Sequence, residues 1–214
     1  VDERAELRTH LFRPALEVVH AENFGIHNHE CWHLSAYGLA GLVLGDEKLV
    51  NEAINGRFGM LQQLEKGILS DGCWYEGAWG YHFYVMRALV PFVEALTNLG
   101  LSPPLGFKRM FDAPFGQVTP NWKLPAVNDC ARMAFQRGAQ SELYEFAWRW
   151  WHDPRYAWWL SEASSRRTLS YVLSGAEIPK GVDNIQPKFG SVDFSGSGLL
   201  VLRSSTPGSC ALIP

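Results

Sequence analysis

The sequence has no apolar run that approaches the roughly 20 residues needed for a membrane-spanning helix. Its four cysteines are widely spaced and form no C-x-x-C pair, which argues against a zinc knuckle. Charged residues make up only 19% of the 214 residues and the formal net charge is -3, so a nucleic-acid partner is not expected. Hydrophobic residues make up 47%, and such a chain can bury a substantial core as a globular protein.

Most of the chain has the apolar spacing that is typical of helix hairpins. Residues 31–46 predict a helix that ends at Gly45, and residues 80–100 predict a long helix with Pro91 in its interior. Two or three further helices are expected within residues 130–175. These patterns predict a mainly α fold for the larger part of the chain.

The character of the sequence changes after Pro179. Residues 189–205 alternate apolar and polar positions, carry turn glycines and contain the strand core Leu-Leu-Val-Leu. One or two strands do not form a stable sheet alone. We therefore expect a helical domain over residues 1–178, a linker and the first strands of a β-sheet domain over residues 179–214, and a chain that is part of a longer protein.

The segment GIHNHECW, residues 25–32, precedes the first predicted helix and is rich in groups that can do chemistry. It could be a metal site, an acid/base site or the polar start of a helix. His29, Glu30 and His33 formally match the zinc motif H-E-x-x-H, and zinc would need a third protein ligand. Asn28 indicates a helix entrance, whereas the zinc motif belongs in the middle of a helix.

A second such segment, DGCWYEGAWGYHFYVMRAL, spans residues 71–89 and leads from a loop into a helix. Helical spacing places Tyr81, Tyr84 and Arg87 on one face. Read singly, Trp79 and Tyr84 could be packing residues and Glu76 a capping acid. Together, so many polar and aromatic groups at a helix entrance favour a binding site. Asp71 and Glu76 could also form a glycosidase pair, for which the carboxylate separation decides.

The segments IHNHECWHLSAYGLAGLVLGD and DGCWYEGAWGYHFY, in this order, resemble the helical domain of the heparinase II/III-like polysaccharide lyases, which include exolytic alginate lyases. PNWKLPAVND and FGSVDFSGSGLLVLRSS extend the resemblance over about residues 20–205. The resemblance implies an incomplete (α/α) toroid of helix hairpins, followed by an antiparallel β-sheet domain, with the cleft between them. It also implies a periplasmic or secreted bacterial protein.

The resemblance further implies β-elimination at C4 of a uronic acid, which leaves a 4,5-unsaturated sugar. It assigns Asn28 as donor to the uronate carboxylate, His29 as charge-neutralising group or base, and Tyr81 as general acid that can also serve as base. All three are expected to converge on one face of the helical domain. The family's second histidine lies in the sheet domain, and the sequence has no histidine after His152.

Further residues complete the expected site. The predicted substrate-binding residues are His27, Trp32, Glu76, Trp79, His82, Arg87 and Asn128. A helix start is predicted at Asn128 and Asp129, with Asp129 as a cap or, alternatively, a substrate contact. No cofactor is expected, and the expected partners are an acidic polysaccharide or oligosaccharide and the β-sheet domain of the same polypeptide. A zinc metallohydrolase and a non-catalytic carbohydrate-binding helical fragment stay open as alternatives.

Overall fold

The computed structural model describes residues 3–131, 133–163, 171–172, 175–182, 189–204 and 210–213. These residues are mainly helical, with small antiparallel sheets. The chain divides into two compact units, Val1–Gly67 with Tyr84–Pro104 and Ile68–Phe83 with Leu105–Pro214. None of the described helices combines the length and apolarity that a membrane crossing requires. The predicted boundary between residues 178 and 179 stays a prediction.

The first unit is built from helices, which are α1 (Glu3–Leu7), a π-helical turn (Arg8–Phe12), α2 (Arg13–Ala21), α3 (Asn28–Leu44), α4 (Glu47–Asn55), α5 (Met60–Gly67) and most of α6 (Trp79–Asn98). The prediction that the helix after the histidine-rich segment ends at Gly45 is confirmed. Gly45 caps α3 with a φ of 69°, a conformation that glycine adopts without steric cost. Pro91 lies inside α6 as predicted.

Close packing in the first unit depends on a glycine in α3. A Cβ atom built on Gly38 would lie 2.5 Å from Cζ of Phe92 and 2.9 Å from Cβ of Ala53. Phe92 and Ala53 are both fully buried. Because protein cores are close-packed, α4 and α6 can contact α3 at this point only where the side chain is a hydrogen atom.

The second unit combines helices and strands. Its helices are the first turn of α6, α7 (Phe107–Gln117), α8 (Ser141–Trp151) and α9 (Pro154–Leu160). Its strands are β1 (Lys123–Leu124), β2 (Met133–Ala134), β3 (Val192–Phe194), β4 (Leu199–Arg203) and β5 (Cys210–Ile213). The antiparallel β3-β4-β5 sheet confirms the strands predicted after Pro179, with Val192 opposite Val201. The part of the predicted helices that falls on residues 164–170 lies outside the described residues.

The segment between α7 and α8 differs from its prediction. The sequence predicts a helix start at Asn128 and Asp129, but these residues form a turn, and Asn128 has a φ of 51°. The turn belongs to the connection between β1 and β2, a short antiparallel pair. The helix-start prediction is therefore wrong, because an asparagine in a turn has the same local preferences as an asparagine at a helix cap.

Aromatic rings form the core of the second unit. The rings of Phe135 and Trp159 stack with centroids 4.3 Å apart, and Phe115 meets Trp159 edge-on at 5.1 Å. Tyr144 and Tyr156 are fully buried beside them. Trp148, Trp158 and Trp159 are also buried, so packing accounts for these tryptophans, as the helical pattern predicts.

Gly38→Val tests the close contact in the first unit. The added methyl groups must displace Phe92, and overpacking of this kind costs about 1–3 kcal/mol in the free energy of unfolding. Val43→Ala is the matched control on the same helix, because Val43 is 58% exposed and its change is expected to stay within about 0.5 kcal/mol. Urea unfolding followed by circular dichroism measures both, and equal stability of the two variants would contradict the packing account.

Candidate functional site

The loop that leads into α3 is held by one buried glutamine. Gln63 in α5 is fully buried, and its Nε2 donates to the carbonyls of Gly25 and Phe58, each at 2.8 Å. Its Oε1 accepts from the backbone N–H of His27 at 3.2 Å. Nδ1 of His27 then accepts from the backbone N–H of His29 at 3.2 Å and caps the helix. The structure therefore assigns His27 a capping role.

Asn28 and His29 follow the cap and have opposite environments. Asn28 is only 3% exposed, whereas His29 is exposed at the surface of the first unit. The His29 ring lies among other aromatic rings, with centroids 5.3 Å from Phe24, 5.0 Å from His27 and 6.3 Å from Tyr84. The imidazole of His29 is thus presented to solvent, while Asn28 forms the buried first residue of the helix.

Trp32 and Tyr84 add an exposed aromatic pair to this part of the first unit. Their ring centroids are 5.1 Å apart, and each residue is 38% exposed. Partly exposed indole and phenol rings can stack on the apolar face of a sugar and keep their polar edges in water. The predicted role of Trp32 in substrate binding stays a prediction, and Tyr84 is more exposed than a simple packing residue would be.

The residues that match the zinc motif H-E-x-x-H contact the backbone and ring of Phe24. The Glu30 carboxylate is buried and accepts a hydrogen bond from the backbone N–H of Phe24 at 3.0 Å. The rings of His29 and His33 both meet the ring of Phe24 edge-on. The described residues contain no group of three histidine, cysteine, aspartate or glutamate residues that could hold a metal ion. Glu30 therefore fixes the loop before α3.

In the second unit, the loop before α6 uses its carboxylates for structural hydrogen bonds. Asp71 accepts from the backbone N–H of Cys73 at 3.0 Å and from the backbone N–H and the hydroxyl of Ser197 at 2.7 and 2.9 Å. The Glu76 carboxylate accepts from Nε1 of Trp74. Because both carboxylates are engaged in this way, the geometry does not favour Asp71 and Glu76 as a glycosidase pair.

His82 fixes the same loop from the first turn of α6. The residue is 2% exposed, its Nδ1 accepts from the backbone N–H of Trp74 at 3.2 Å, and its Nε2 donates to the carbonyl of Met110 at 2.9 Å. Burial lowers the pKa of His82 to about 4, so the imidazole is neutral at pH 7. Direct substrate binding through its nitrogens stays a prediction, and both of them already have main-chain partners.

Tyr81 has a carboxylate partner. Its hydroxyl donates to Oδ2 of Asp129 at 2.7 Å, and this hydrogen bond, followed by the charge of Asp129, raises the pKa of Tyr81. The turn that carries Asp129 is tied to the loop, since Nδ2 of Asn128 donates to the carbonyl of Glu76 at 3.2 Å. A Cβ atom on Gly77 would overlap the Asn128 amide, so this contact requires glycine at position 77.

The exposed face of α6 agrees with the sequence prediction. Tyr84 and Arg87 are exposed and Tyr81 is half-buried, whereas the residues between them are buried. These three positions are spaced by three residues, so they lie along one side of the helix. The prediction that Tyr81, Tyr84 and Arg87 share a face is therefore confirmed.

A cavity of about 220 Å³ lies in the second unit. Its lining includes three of the predicted substrate-binding residues, Trp79, His82 and Asn128, together with Ser197 from the connection between β3 and β4. Trp79 is buried, and its Nε1 donates to Oε1 of Gln117 at 3.2 Å. The volume is below the roughly 300–1,000 Å³ of pockets for drug-sized ligands, so the cavity suits one small group.

The predicted site residues are divided between the units. His27, Asn28, His29, Trp32 and Arg87 belong to the first unit, and Glu76, Trp79, Tyr81, His82 and Asn128 belong to the second. The convergence of the three proposed catalytic residues stays a prediction. Sequence reasoning missed Gln63, for which no motif gives a signal, and it missed Asp129 as a partner of Tyr81.

The first half of the chain is similar to known lyases. Residues 9–104, which contain Asn28, His29 and Tyr81, match the family model described as alginate lyase. An alginate lyase of Stenotrophomonas maltophilia is 34% identical over 100 residues, and an exo-oligoalginate lyase of Saccharophagus degradans is 35% identical over 101 residues. Each alignment covers 43% of this chain and 13% of the relative, so the chain spans far less than two thirds of either relative's length.

Proposed function

We propose that the chain carries catalytic residues of a polysaccharide lyase, which cleaves a uronic-acid polymer by β-elimination and leaves a 4,5-unsaturated uronate end. The match of residues 9–104 to the alginate lyase model and the two relatives support this proposal. The observation that carries it is Tyr81, which lies inside the matched region and has its hydroxyl oriented by a carboxylate. Such a phenol is suited to transfer a proton at a helix entrance.

The reaction sets three chemical requirements. The bond from C5 to hydrogen breaks and the proton goes to a base, while its electrons form the double bond to C4. The bond from C4 to the glycosidic oxygen breaks, and the leaving oxygen takes a proton from an acid. Because the uronate carboxylate already carries a negative charge, the enzyme must also stabilise further charge that develops on it.

The proposed roles follow these requirements. Tyr81 is the general acid, since a phenol holds its proton at neutral pH and the raised pKa of Tyr81 extends the protonated form to more alkaline pH. His29 is exposed and is assigned the removal of the C5 proton or the neutralisation of the carboxylate. Asn28 is assigned to the carboxylate by the family resemblance, at the N-terminus of α3, where the helix dipole favours negative charge.

The finer assignments are also proposals. The names of the two relatives indicate alginate, a polymer of uronic acids, as the substrate. We further assign the chain to the heparinase II/III-like lyases, whose helix hairpins form an incomplete (α/α) toroid over residues 1–178. The strands β3, β4 and β5 then begin the β-sheet domain that completes the enzyme.

Carbohydrate binding without catalysis is the second candidate function. It is favoured by the exposed pair of Trp32 and Tyr84, which offers a stacking surface for a sugar ring. The two functions are distinguished by the product, since only a lyase generates the ultraviolet absorbance of an unsaturated uronate. Binding to alginate beads without any rise in that absorbance would favour the second function.

Tyr81→Phe in the natural full-length protein tests the proposed acid. The change removes only the hydroxyl and keeps the ring, so a loss of about 10²–10⁴-fold in kcat on alginate is expected, with little change in Tm or substrate binding. Formation of unsaturated product is the measurement. Tyr84→Phe removes a hydroxyl one helical turn along and is expected to have a much smaller effect. Near-normal turnover by Tyr81→Phe would make Tyr81 a packing residue.

His29→Ala and His27→Ala separate chemistry from helix capping. His29 is exposed, so its removal is expected to lower kcat by 10²-fold or more, on the order of a proton-transfer group, with little change in Tm. His27 caps α3, so its removal is expected to cost about 0.5–2 kcal/mol in the free energy of unfolding. Thermal unfolding and product formation are measured on both variants. An active His29→Ala variant would remove His29 from the mechanism.

A further inference from the structure

Within the part of the chain that the structure describes, the Asp129 carboxylate has no ion pair. Among the described residues, its side chain has one hydrogen-bond partner, the hydroxyl of Tyr81, which lies 48 positions earlier in the chain. No helix begins at Asp129, so it caps no helix, and no arginine or lysine of the described chain pairs with it. The contact that the structure gives the Asp129 side chain is therefore the one with Tyr81.

The turn that presents Asp129 is held in a specific conformation. Asn128 lies in the left-handed region with a φ of 51°, and its Nδ2 donates to the carbonyl of Glu76 in the loop before α6. Gly77, with a φ of 74°, leaves room for the Asn128 amide. These contacts hold the turn against the loop that leads to Tyr81. The Asp129 carboxylate and the Tyr81 phenol are therefore held close together by their backbone segments.

We propose that Asp129 is a positioning residue for Tyr81, whose carboxylate orients the phenol hydroxyl and keeps its proton on the phenol oxygen until the leaving sugar oxygen takes it. This proposal rests on the proposed lyase function and names a residue that neither the family resemblance nor the relatives assign. A positioned acid needs its hydroxyl in one orientation, and a single short hydrogen bond to a fixed acceptor supplies that orientation.

The negative charges around Tyr81 also favour the protonated phenol. The ionisable groups that face the phenol are Asp129, Glu76 and Cys130, and each disfavours the phenolate, with the hydrogen bond to Asp129 as the largest cause of the raised pKa of Tyr81. The single O–H group of Tyr81 turns from Asp129 to the glycosidic oxygen, the O–H bond breaks as that oxygen takes the proton, and a phenolate forms beside the carboxylate. The phenolate then takes a proton from solvent while the base releases the C5 proton to solvent, so both groups are restored for the next turnover.

Three variants of the natural full-length protein test the proposal. Asp129→Asn keeps an acceptor oxygen and removes the negative charge, whereas Asp129→Ala removes both. Glu76→Gln is the matched control for charge alone, since the Glu76 carboxylate bonds to Trp74 and not to the phenol. The first measurement is the pKa of Tyr81, followed by ring ¹³C NMR and assigned by the signal that Tyr81→Phe removes.

Asp129→Asn is expected to lower the pKa of Tyr81 towards the ordinary tyrosine value of about 10, and Glu76→Gln is expected to lower it less. The pH profile of kcat on alginate gives the second readout. Because the acid must be protonated, the rate falls as pH rises through the pKa of Tyr81. The alkaline limb is therefore expected to move to lower pH in Asp129→Asn, a shift that a merely structural role would not cause.

Asp129→Ala is expected to lower kcat by about 10–100-fold with little change in KM, because the hydroxyl loses its orientation. If Asp129→Ala fails to fold, Asp129→Asn carries the test. An unchanged pKa of Tyr81 and an unchanged alkaline limb in Asp129→Asn would overturn the proposal. If Tyr81→Phe is slow but both Asp129 variants behave as wild type, only the positioning role fails; if Tyr81→Phe itself is fully active, the proposed lyase mechanism fails.

Discussion

Pairing of buried polar side chains with main-chain groups fixes both loops that carry the candidate site. A buried polar group without a partner costs about 1–3 kcal/mol, so each of these side chains holds its loop in one conformation. Gln63 makes two such hydrogen bonds to the segment before α3, with Gly25 and His27, and a third to the carbonyl of Phe58 before α5. His82 makes two around the loop before α6, and its lowered pKa keeps the ring neutral in that role. The residues proposed for chemistry directly follow or adjoin these anchors.

The two loops present their chemical groups differently. The first leaves the imidazole of His29 in solvent beside exposed aromatic rings, on which the apolar face of a sugar ring can stack. The second holds the phenol of Tyr81 against a carboxylate, which disfavours the phenolate and favours the role of acid over that of base. In the proposed mechanism, the phenol of Tyr81 is the acid, and the imidazole of His29 removes the C5 proton or neutralises the carboxylate.

Local patterns predicted much of the fold, and long-range contacts explain what they missed. The end of α3 at Gly45, the exposed face of α6 and the strands after Pro179 all follow from residue spacing within a few turns or strands. The β1–β2 pair and the turn at Asn128 were not predicted, because the contact with Glu76 that holds this turn joins residues 52 positions apart. The same holds for Gln63, whose partners lie up to 38 positions away.

The identity of the cleavage product tests the central claim most directly. Alginate oligosaccharides are incubated with the natural full-length protein, and the products are analysed by ultraviolet absorbance and mass spectrometry. β-Elimination gives two fragments at each cleaved bond. We expect the fragment on the non-reducing side to be saturated and the fragment on the reducing side to begin with a 4,5-unsaturated uronate, one water lighter than the hydrolysis product. New ends that are all saturated, with masses of full hydrolysis products, would contradict β-elimination and with it the assignment of Tyr81 as the lyase acid.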